Sequence, residues 1–287
     1  MMVKKKLMIT GGKGQLGKEL EKQLSISYNV YAYGKDELDI TVPQKVEERV
    51  QEIDPDIIIH AAAYTAVDHC ELDRLTAFRI NAVGTMNIAL AAKRHQTRLI
   101  YISSDYVFNG KKSVPYTEKD ETDPLNIYGV SKCLGEETCQ SVIRKNCTIV
   151  RTSWVFGHGG NNFVNTMLRL GKKQIPIKVV NDQMGSPTYT ADLVSVIRTL
   201  IELGKSGIYH VTNSESCTWF EFAKYIFNES GYDSKLLVPV STKEFGSSAP
   251  RPHYSVLSKD KLLREGLPLP RSWQDAVSEY LRKEFIR

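Results

Sequence analysis

The 287-residue sequence has no CxxC pair, no block of basic residues, no internal repeat and no apolar run long enough to cross a bilayer. Each absence removes a class of function. The cysteines (Cys70, Cys133, Cys139, Cys147 and Cys217) are odd in number, so at least one is unpaired. Scattered free thiols without metal-ligand spacing argue against a structural zinc and for a reducing compartment, so a cytoplasmic protein is expected. Nothing approaches the roughly 18–20 apolar residues of a membrane helix. The start, Met1-Met2-Val3-Lys4-Lys5-Lys6, imitates a secretion signal, but the apolar run Leu7-Met8-Ile9-Thr10 stops at Gly11-Gly12, too soon for one. No membrane partner is expected. The net charge of +5 is spread along the chain, whereas nucleic-acid binders gather theirs into a patch, so no nucleic-acid partner is expected either.

What is present is an alternation of short apolar strands with amphipathic helices. Lys6–Thr10 reads as a buried strand, and Gly14–Leu24 as a helix with Leu16, Leu20 and Leu24 four residues apart. Asn29–Tyr33 is a second strand and Val42–Ile53 a helix, and Asp54-Pro55-Asp56 breaks the chain before the strand Ile57–Ala61. A helix near Leu75–Arg94, a strand Arg98–Ser103, a helix over about Asn126–Lys145 and a strand Thr148–Arg151 follow. Nearly continuous apolar strands separated by helices predict an α/β fold, a Rossmann-type doubly wound parallel sheet covered on both faces. After Arg151 the pattern loosens into helices Phe163–Leu170, Ala191–Leu203, Trp219–Glu229 and Trp273–Phe285, with short strands Ile177–Val180 and Ile208–Val211. The predicted organisation is a dinucleotide-binding domain over residues 1–152, with later sheet elements returning to it. A smaller α/β substrate-binding lobe, interleaved with that sheet, takes up most of 153–287.

Gly11, Gly14 and Gly17 follow the first strand and open the first helix, with Lys13, Gln15 and Leu16 between them. Such a loop lets backbone N–H groups approach a pyrophosphate at the helix N-terminus. The spacing is GxxGxxG, and a glycine-rich strand-to-helix turn with no ligand would look the same; its place directly after the first strand favours a dinucleotide. An acidic residue closing the second strand would grip the adenosine ribose of NAD. The stretch Val30-Tyr31-Ala32-Tyr33-Gly34-Lys35 has none, and Lys13 and Lys35 are placed to meet a 2′-phosphate, so NADPH is expected, with NADH tolerated. Solvated surface lysines are the alternative. Asp39 and Ile40 are expected beside the adenine, and Ala61, Ala62, Ala63 and Tyr64 along the cofactor at the end of the third strand.

Tyr128 and Lys132 stand at i and i+4, on one helix face. A phenol of ordinary pKa, about 10, is a poor acid–base group at neutral pH, and a nearby ammonium is expected to lower it. The same lysine can hold a nicotinamide ribose. Ser104, at the end of the fourth strand, can hydrogen-bond a substrate oxygen as its charge changes. Tyrosine packed on a lysine stem is common. Following a Ser-Ser strand end and a GxxGxxG start, the three residues instead point to hydride and proton transfer at a carbonyl carbon.

This constellation resembles that of the extended short-chain dehydrogenase/reductase family. The runs Ala61–Asp68, Ser103–Phe108, Pro124–Gly129, Arg151–Phe156 and Asn181–Thr188, with Arg251-Pro252, resemble the dTDP-4-dehydrorhamnose reductases within it, over nearly the whole chain. The resemblance implies Tyr128 as proton donor, Lys132 as its activator and Ser104 as the carbonyl partner, where many relatives carry Thr. It implies a supporting role for Asn81 from the next helix, for which a helix-start cap is the alternative. On the substrate side it implies Trp154 against the sugar, with Thr65, Val67, Asp105 and Asn162 nearby and Arg251 facing the nucleotide diphosphate. The implied substrate is a nucleotide sugar, dTDP-4-dehydrorhamnose. Sugar-nucleotide dehydratases resemble the chain too, but they follow the strand-end hydroxyl with Asp-Glu to eliminate water; here Tyr106 takes the second position.

Two other readings accompany the resemblance, a reductase of another nucleotide ketosugar and a non-catalytic subunit. The regulatory β subunit of methionine adenosyltransferase resembles the same reductases, binds NADP and serves a partner enzyme. Intact Ser104, Asp105, Tyr128, Lys132 and Trp154 favour catalysis. Some family members join subunits through Mg²⁺ held by carboxylates. Glu19 is a lone candidate ligand, but the second matching position is Ala191, with Asp192 one residue later. No metal site is therefore predicted, and monomer and homodimer both stay open.

Overall fold

The computed structural model describes residues 4–285; Met1, Met2 and Val3 of the signal-like start lie outside the described residues. The first half contains β1 (Lys6–Thr10), α1 (Gln15–Leu24), β2 (Asn29–Tyr33), α2 (Pro43–Ile53), β3 (Ile57–His60), α3 (Val67–Leu72), α4 (Arg74–Phe78), a π-helical turn (Arg79–Gly84), α5 (Thr85–Arg94), β4 (Arg98–Ser104), α6 (Ile127–Val142) and β5 (Cys147–Thr152). The second half contains β6 (Val155–Phe156), α7 (Phe163–Gly171), β7 (Ile177–Val180), β8 (Met184–Gly185), β9 (Thr188–Tyr189), α8 (Thr190–Glu202), β10 (Gly207–His210), β11 (Cys217–Thr218), α9 (Trp219–Glu229), β12 (Leu237–Val240), α10 (Thr242–Phe245), α11 (Asp260–Arg264) and α12 (Trp273–Phe285).

Six parallel strands form the central sheet in the order β10-β5-β4-β3-β1-β2. Because side chains alternate along a strand, each strand supplies both faces. Leu7, Ile9, Ile57, Ile59 and Ile100 pack on one side against Leu20 and Leu24 of α1 and Leu193 and Ile197 of α8. Met8, Ile58, Leu99 and Tyr101 pack on the other against Val46 and Val50 of α2 and Ile88 and Ala92 of α5. This two-sided burial explains why the strands read as unbroken apolar runs. From β1 the chain moves outward to β2, then crosses back to β3. A crevice therefore opens at the carboxyl ends of β1 and β3, where open α/β sheets bind ligands.

A second core lies beyond β5. Phe156, Tyr189, Phe222, Phe227, Trp273 and Tyr280 are buried together, with residues of α7, α9 and α12 around them. Three two-stranded ribbons, β6–β9, β7–β12 and β8–β11, frame it. Most of their strands are two residues long, too short to show a period in sequence. The helix expected over Leu75–Arg94 is broken at its middle by the π turn, and α3 precedes it unforeseen. Among the described residues no helix is long and apolar enough to cross a membrane.

Candidate active site

The loop after β1 is closed in upon itself. Gly11 has φ +74°, a left-handed conformation that disfavours side chains, and a Cβ there would lie 2.7 Å from the Ala62 nitrogen. A Cβ on Gly17 would lie 2.2 Å from the Gly11 carbonyl oxygen, so only glycine lets α1 start this close to the loop. Gly14 is the N-cap of α1 and provides no side-chain cap, leaving the first-turn N–H groups available to an anion. The cradle fits a pyrophosphate. Gln15 and Lys18 reach from α1 into the second half of the chain, donating to the carbonyls of Val155 and Gly159, each at 3.0 Å. Leu16 packs against the sheet core. Ala61 and Ala62 are tied to the end of β1, their N–H groups donating to the Thr10 carbonyl and hydroxyl at 3.2 and 3.4 Å. Ala63 and Tyr64 continue this strip along the crevice.

A carboxylate overlooked in sequence lies beside the cradle. Glu37 accepts the Gly34 N–H at 2.7 Å and pairs with Lys13 at 3.4 Å, so Lys13 is not an unpaired cation. Lys35 is exposed. Asp39 accepts from the N–H and hydroxyl of Thr41, which hold its carboxyl below the usual range, and Ile40 is buried against Gly84.

Ser104 ends β4, and the helical spacing of α6 brings Tyr128 and Lys132 to the same place. The buried Tyr128 ring meets Tyr106 edge-on, with centroids 5.7 Å apart. Burial and then the Asp105 carboxyl push the phenol well above its ordinary pKa, while the Ser104 hydroxyl draws it down. The expectation of a lowered pKa is thus reversed. Lys132 donates to the Ile102 carbonyl at 2.7 Å and lies 4.1 Å over the Tyr101 ring, so its charge is held against β4 and is not among the largest influences on the phenol. Burial pushes the lysine down to about 7, opposed by Glu136 one turn further along α6. Asn81 is not a helix-start cap. It sits fully buried in the π turn, holds both the N–H and the C=O of Tyr64 (2.7 and 3.1 Å) and donates to Ser131 at 2.9 Å.

Several residues expected on the substrate side have partners within the chain. Trp154, held at φ +47°, is stacked face to face on Trp219 with centroids 3.5 Å apart. One indole face is therefore covered by a partner 65 positions away that sequence reading did not include. Asn162 caps α7 by accepting the Asn165 N–H at 2.9 Å, and its amide donates to the Gly157 carbonyl at 3.0 Å; those bonds turn it toward its own loop. Arg251 makes a bidentate pair with Asp68, at 3.1 and 2.6 Å, and the same carboxylate accepts the Ala249 N–H. The segment carrying Arg251 is thereby fastened to α3, and the guanidinium already has an anionic partner. Thr65 is exposed, while Val67 packs beside Tyr128, Tyr64 and Tyr106.

The sequence profile of the RmlD substrate binding domain matches residues 5–285. The chain belongs to the RmlD substrate-binding family. It is 46% identical over 279 residues to the spore coat polysaccharide biosynthesis protein SpsK of Bacillus subtilis (strain 168), covering 97% of each chain. It is 40% identical over 285 residues to a dTDP-4-dehydrorhamnose reductase of Aggregatibacter actinomycetemcomitans, covering 95% of this chain and 97% of that one. A crystal structure of dTDP-4-dehydrorhamnose reductase from Bacillus anthracis str. Ames in complex with NADP superimposes with a TM-score of 0.95 at 46% identity, over 98% of this chain and all of that one.

Within this RmlD-family site Asp105 stands out electrostatically. It is 1% exposed; Oδ1 accepts from Ser104 at 2.9 Å, and Oδ2 has no partner at full hydrogen-bond geometry. Burial raises its pKa from 3.8 to about 6, against the pull of the Ser255 and Ser104 hydroxyls. A carboxyl raised in the folded state favours folding below its unfolded pKa, and that contribution is lost as pH rises through the folded value. Above about pH 6 the ionised group therefore costs on the order of 3 kcal/mol. Asp105→Asn is expected to unfold at higher denaturant than wild type at pH 8, with the gap shrinking as pH falls from 6 to 4. A gap independent of pH would refute the assignment.

Glu19 and Asp192 both have partners within the chain. Glu19 accepts from Gln23 at 2.8 Å, and Asp192 is paired with Arg271 at 3.0 Å. Arg271 also binds Glu279. Among the described residues no group of three or more His, Cys, Asp or Glu side chains is arranged to hold a metal ion.

Proposed function

We propose that this protein reduces the C4 ketone of dTDP-4-dehydro-β-L-rhamnose to dTDP-β-L-rhamnose with NADPH. The observation that carries the reading is the meeting of the Ser104 and Tyr128 hydroxyls at the end of β4, beside the glycine cradle, with Tyr106 where elimination would need a carboxylate. The fit of the cradle to a dinucleotide rests on glycines whose Cβ atoms would fill it. Bound there, the reduced nicotinamide supplies a hydride to the ketone carbon.

The remaining chemistry belongs to this chain. A reduction needs a phenol that still carries its proton, and burial keeps Tyr128 protonated at neutral pH. As charge develops on the ketone oxygen, the Ser104 hydroxyl turns from Asp105 Oδ1 to donate a hydrogen bond to it, and Tyr128 gives up its proton. Lys132, with N–H groups beyond the one bound to Ile102, orients the ribose. Trp154 and Trp219 act as a stacked pair that borders the sugar. The NADP-bound relative supports NADPH over NADH, with exposed Lys35 nearest in chemistry to a 2′-phosphate and Lys13 shared with Glu37. The five free cysteines support a reducing, cytoplasmic setting.

The direct test follows loss of reduced-nicotinamide absorbance with dTDP-4-dehydrorhamnose supplied, and identifies the product by NMR. Oxidation of NADPH with dTDP-rhamnose formed is the expected result. Oxidation only with a different dTDP-ketosugar would move the substrate, and NADPH binding without turnover of any ketosugar would replace the reductase by a regulatory subunit.

A further inference from the structure

A closed ring of hydrogen bonds lies behind the crevice, built from side chains the proposed reaction does not use. Its direction follows from which atoms can only accept. The Thr85 hydroxyl lies 2.6 Å from the Asn81 carbonyl, so its proton is committed there. Thr85 therefore receives the contact with His60 Nε2 at 3.0 Å, which places the imidazole proton on Nε2. Nδ1 is then the acceptor, and the Thr10 hydroxyl donates to it at 2.6 Å. The Thr10 oxygen in turn accepts the Ala62 N–H at 3.4 Å. From Asn81 the side chain clamps the N–H and C=O of Tyr64, which closes the ring through the backbone between Ala62 and Tyr64. A branch leaves it: Asn81 Nδ2 donates to Ser131, whose hydroxyl donates to the Tyr128 carbonyl at 2.7 Å.

We propose that His60 and Thr85 are positioning residues, which lock the backbone strip Ala61–Tyr64 to the end of β1 and, through Asn81 and Ser131, to the helix turn that carries Tyr128. The inference rests on the reductase reading for its kinetic consequences, but not for the ring itself. Ala62 and Tyr64 of the strip lining the crevice are members of the ring, and Thr10 immediately precedes the glycine cradle. One connected unit thus spaces the proposed nicotinamide side of the crevice from the proposed proton donor. Thr10, His60, Asn81, Thr85 and Ser131 are each no more than 1% exposed, so no water competes for their bonds. His60 also stacks on Tyr101, centroids 5.7 Å apart, beneath the Lys132 ammonium. A neutral imidazole suits that place, and burial, with Lys132 second, lowers its pKa to about 3.

The nearly isosteric Thr85→Val removes the donor and acceptor at the centre of the ring without opening a cavity. Thr85→Ser keeps the hydroxyl, and Ser131→Ala cuts only the branch. Each variant is measured for NADPH affinity by titration, for kcat and KM, and for folded fraction by circular dichroism. Thr85→Val is expected to lower kcat about tenfold to a hundredfold and to weaken NADPH several-fold. Ser131→Ala should lower kcat but leave NADPH affinity alone, and Thr85→Ser should restore both. Folded Thr85→Val and Ser131→Ala proteins with wild-type kcat and NADPH affinity would overturn the proposal. Should Thr85→Val fail to fold, Ser131→Ala still decides, since wild-type kcat in that variant defeats the branch. Should the wild-type protein turn over no ketosugar, the reductase reading fails, and the ring is judged by NADPH titration alone, where only Thr85→Val is expected to weaken binding.

Discussion

Tyr128→Phe is expected to lower kcat by a factor of about 10²–10⁴ while leaving NADPH binding near wild type. The substitution removes one oxygen and keeps the ring that packs against Val67, Cys70 and Ala77 and meets Tyr106 edge-on. Folding should therefore be little affected, and the loss should fall on the chemical step. The direction of the phenol's pKa sharpens the prediction. Burial and the Asp105 carboxyl raise it, so the wild-type group carries its proton throughout the neutral range and turnover should show no loss from phenol ionisation near pH 7. Single-turnover oxidation of bound NADPH, compared with NADPH affinity in the same variant, separates chemistry from binding. A kcat within threefold of wild type would remove Tyr128 as the proton donor.

Glu136→Leu is expected to destabilise the protein by about 3–5 kcal/mol, whereas Glu136→Leu combined with Arg151→Met should recover most of that loss. Glu136 and Arg151 are both about 2% exposed and joined by two hydrogen bonds, at 2.9 and 2.6 Å. Ser103 donates to the same carboxylate. Removing the anion alone strands a buried guanidinium, while removing both charges leaves apolar groups of similar volume. Glu136 follows Tyr128 and Lys132 at i+8 and i+4, on one face of α6, and it is the largest influence opposing the burial that lowers Lys132. Both variants should therefore also move Lys132 further down. Denaturant titration of wild type, single and double variants measures the effect. Equal stability of the single variant and wild type, or of the single and double variants, would contradict it.

The first five elements, β1 to β3 with α1 and α2 between them, were legible because each rests on local pattern. Strands buried on both faces read as apolar runs, and α1 and α2 show the helical period. The glycine cradle was legible because its conformations and close approaches admit only glycine, and Tyr128 and Lys132 because i and i+4 always share a helix face. Other features depend on partners far apart in the chain. Glu37 neutralises Lys13 from the loop after β2, 24 positions on. Trp219 covers Trp154, and Asp68 claims Arg251 from 183 positions away. No spacing rule reports such pairs.

The sequence by itself determined the parallel α/β sheet, the glycine loop after its first strand and the hydroxyl, phenol and ammonium near the end of the fourth. These follow from backbone geometry and short-range periodicity, which every stretch of chain carries within it. Only the tertiary structure decided the protonation tendencies of Tyr128, Asp105 and Lys132, the pairing of the surrounding charges and the ring through His60. Burial and long-range contact set those quantities, and both exist only once distant segments have packed together.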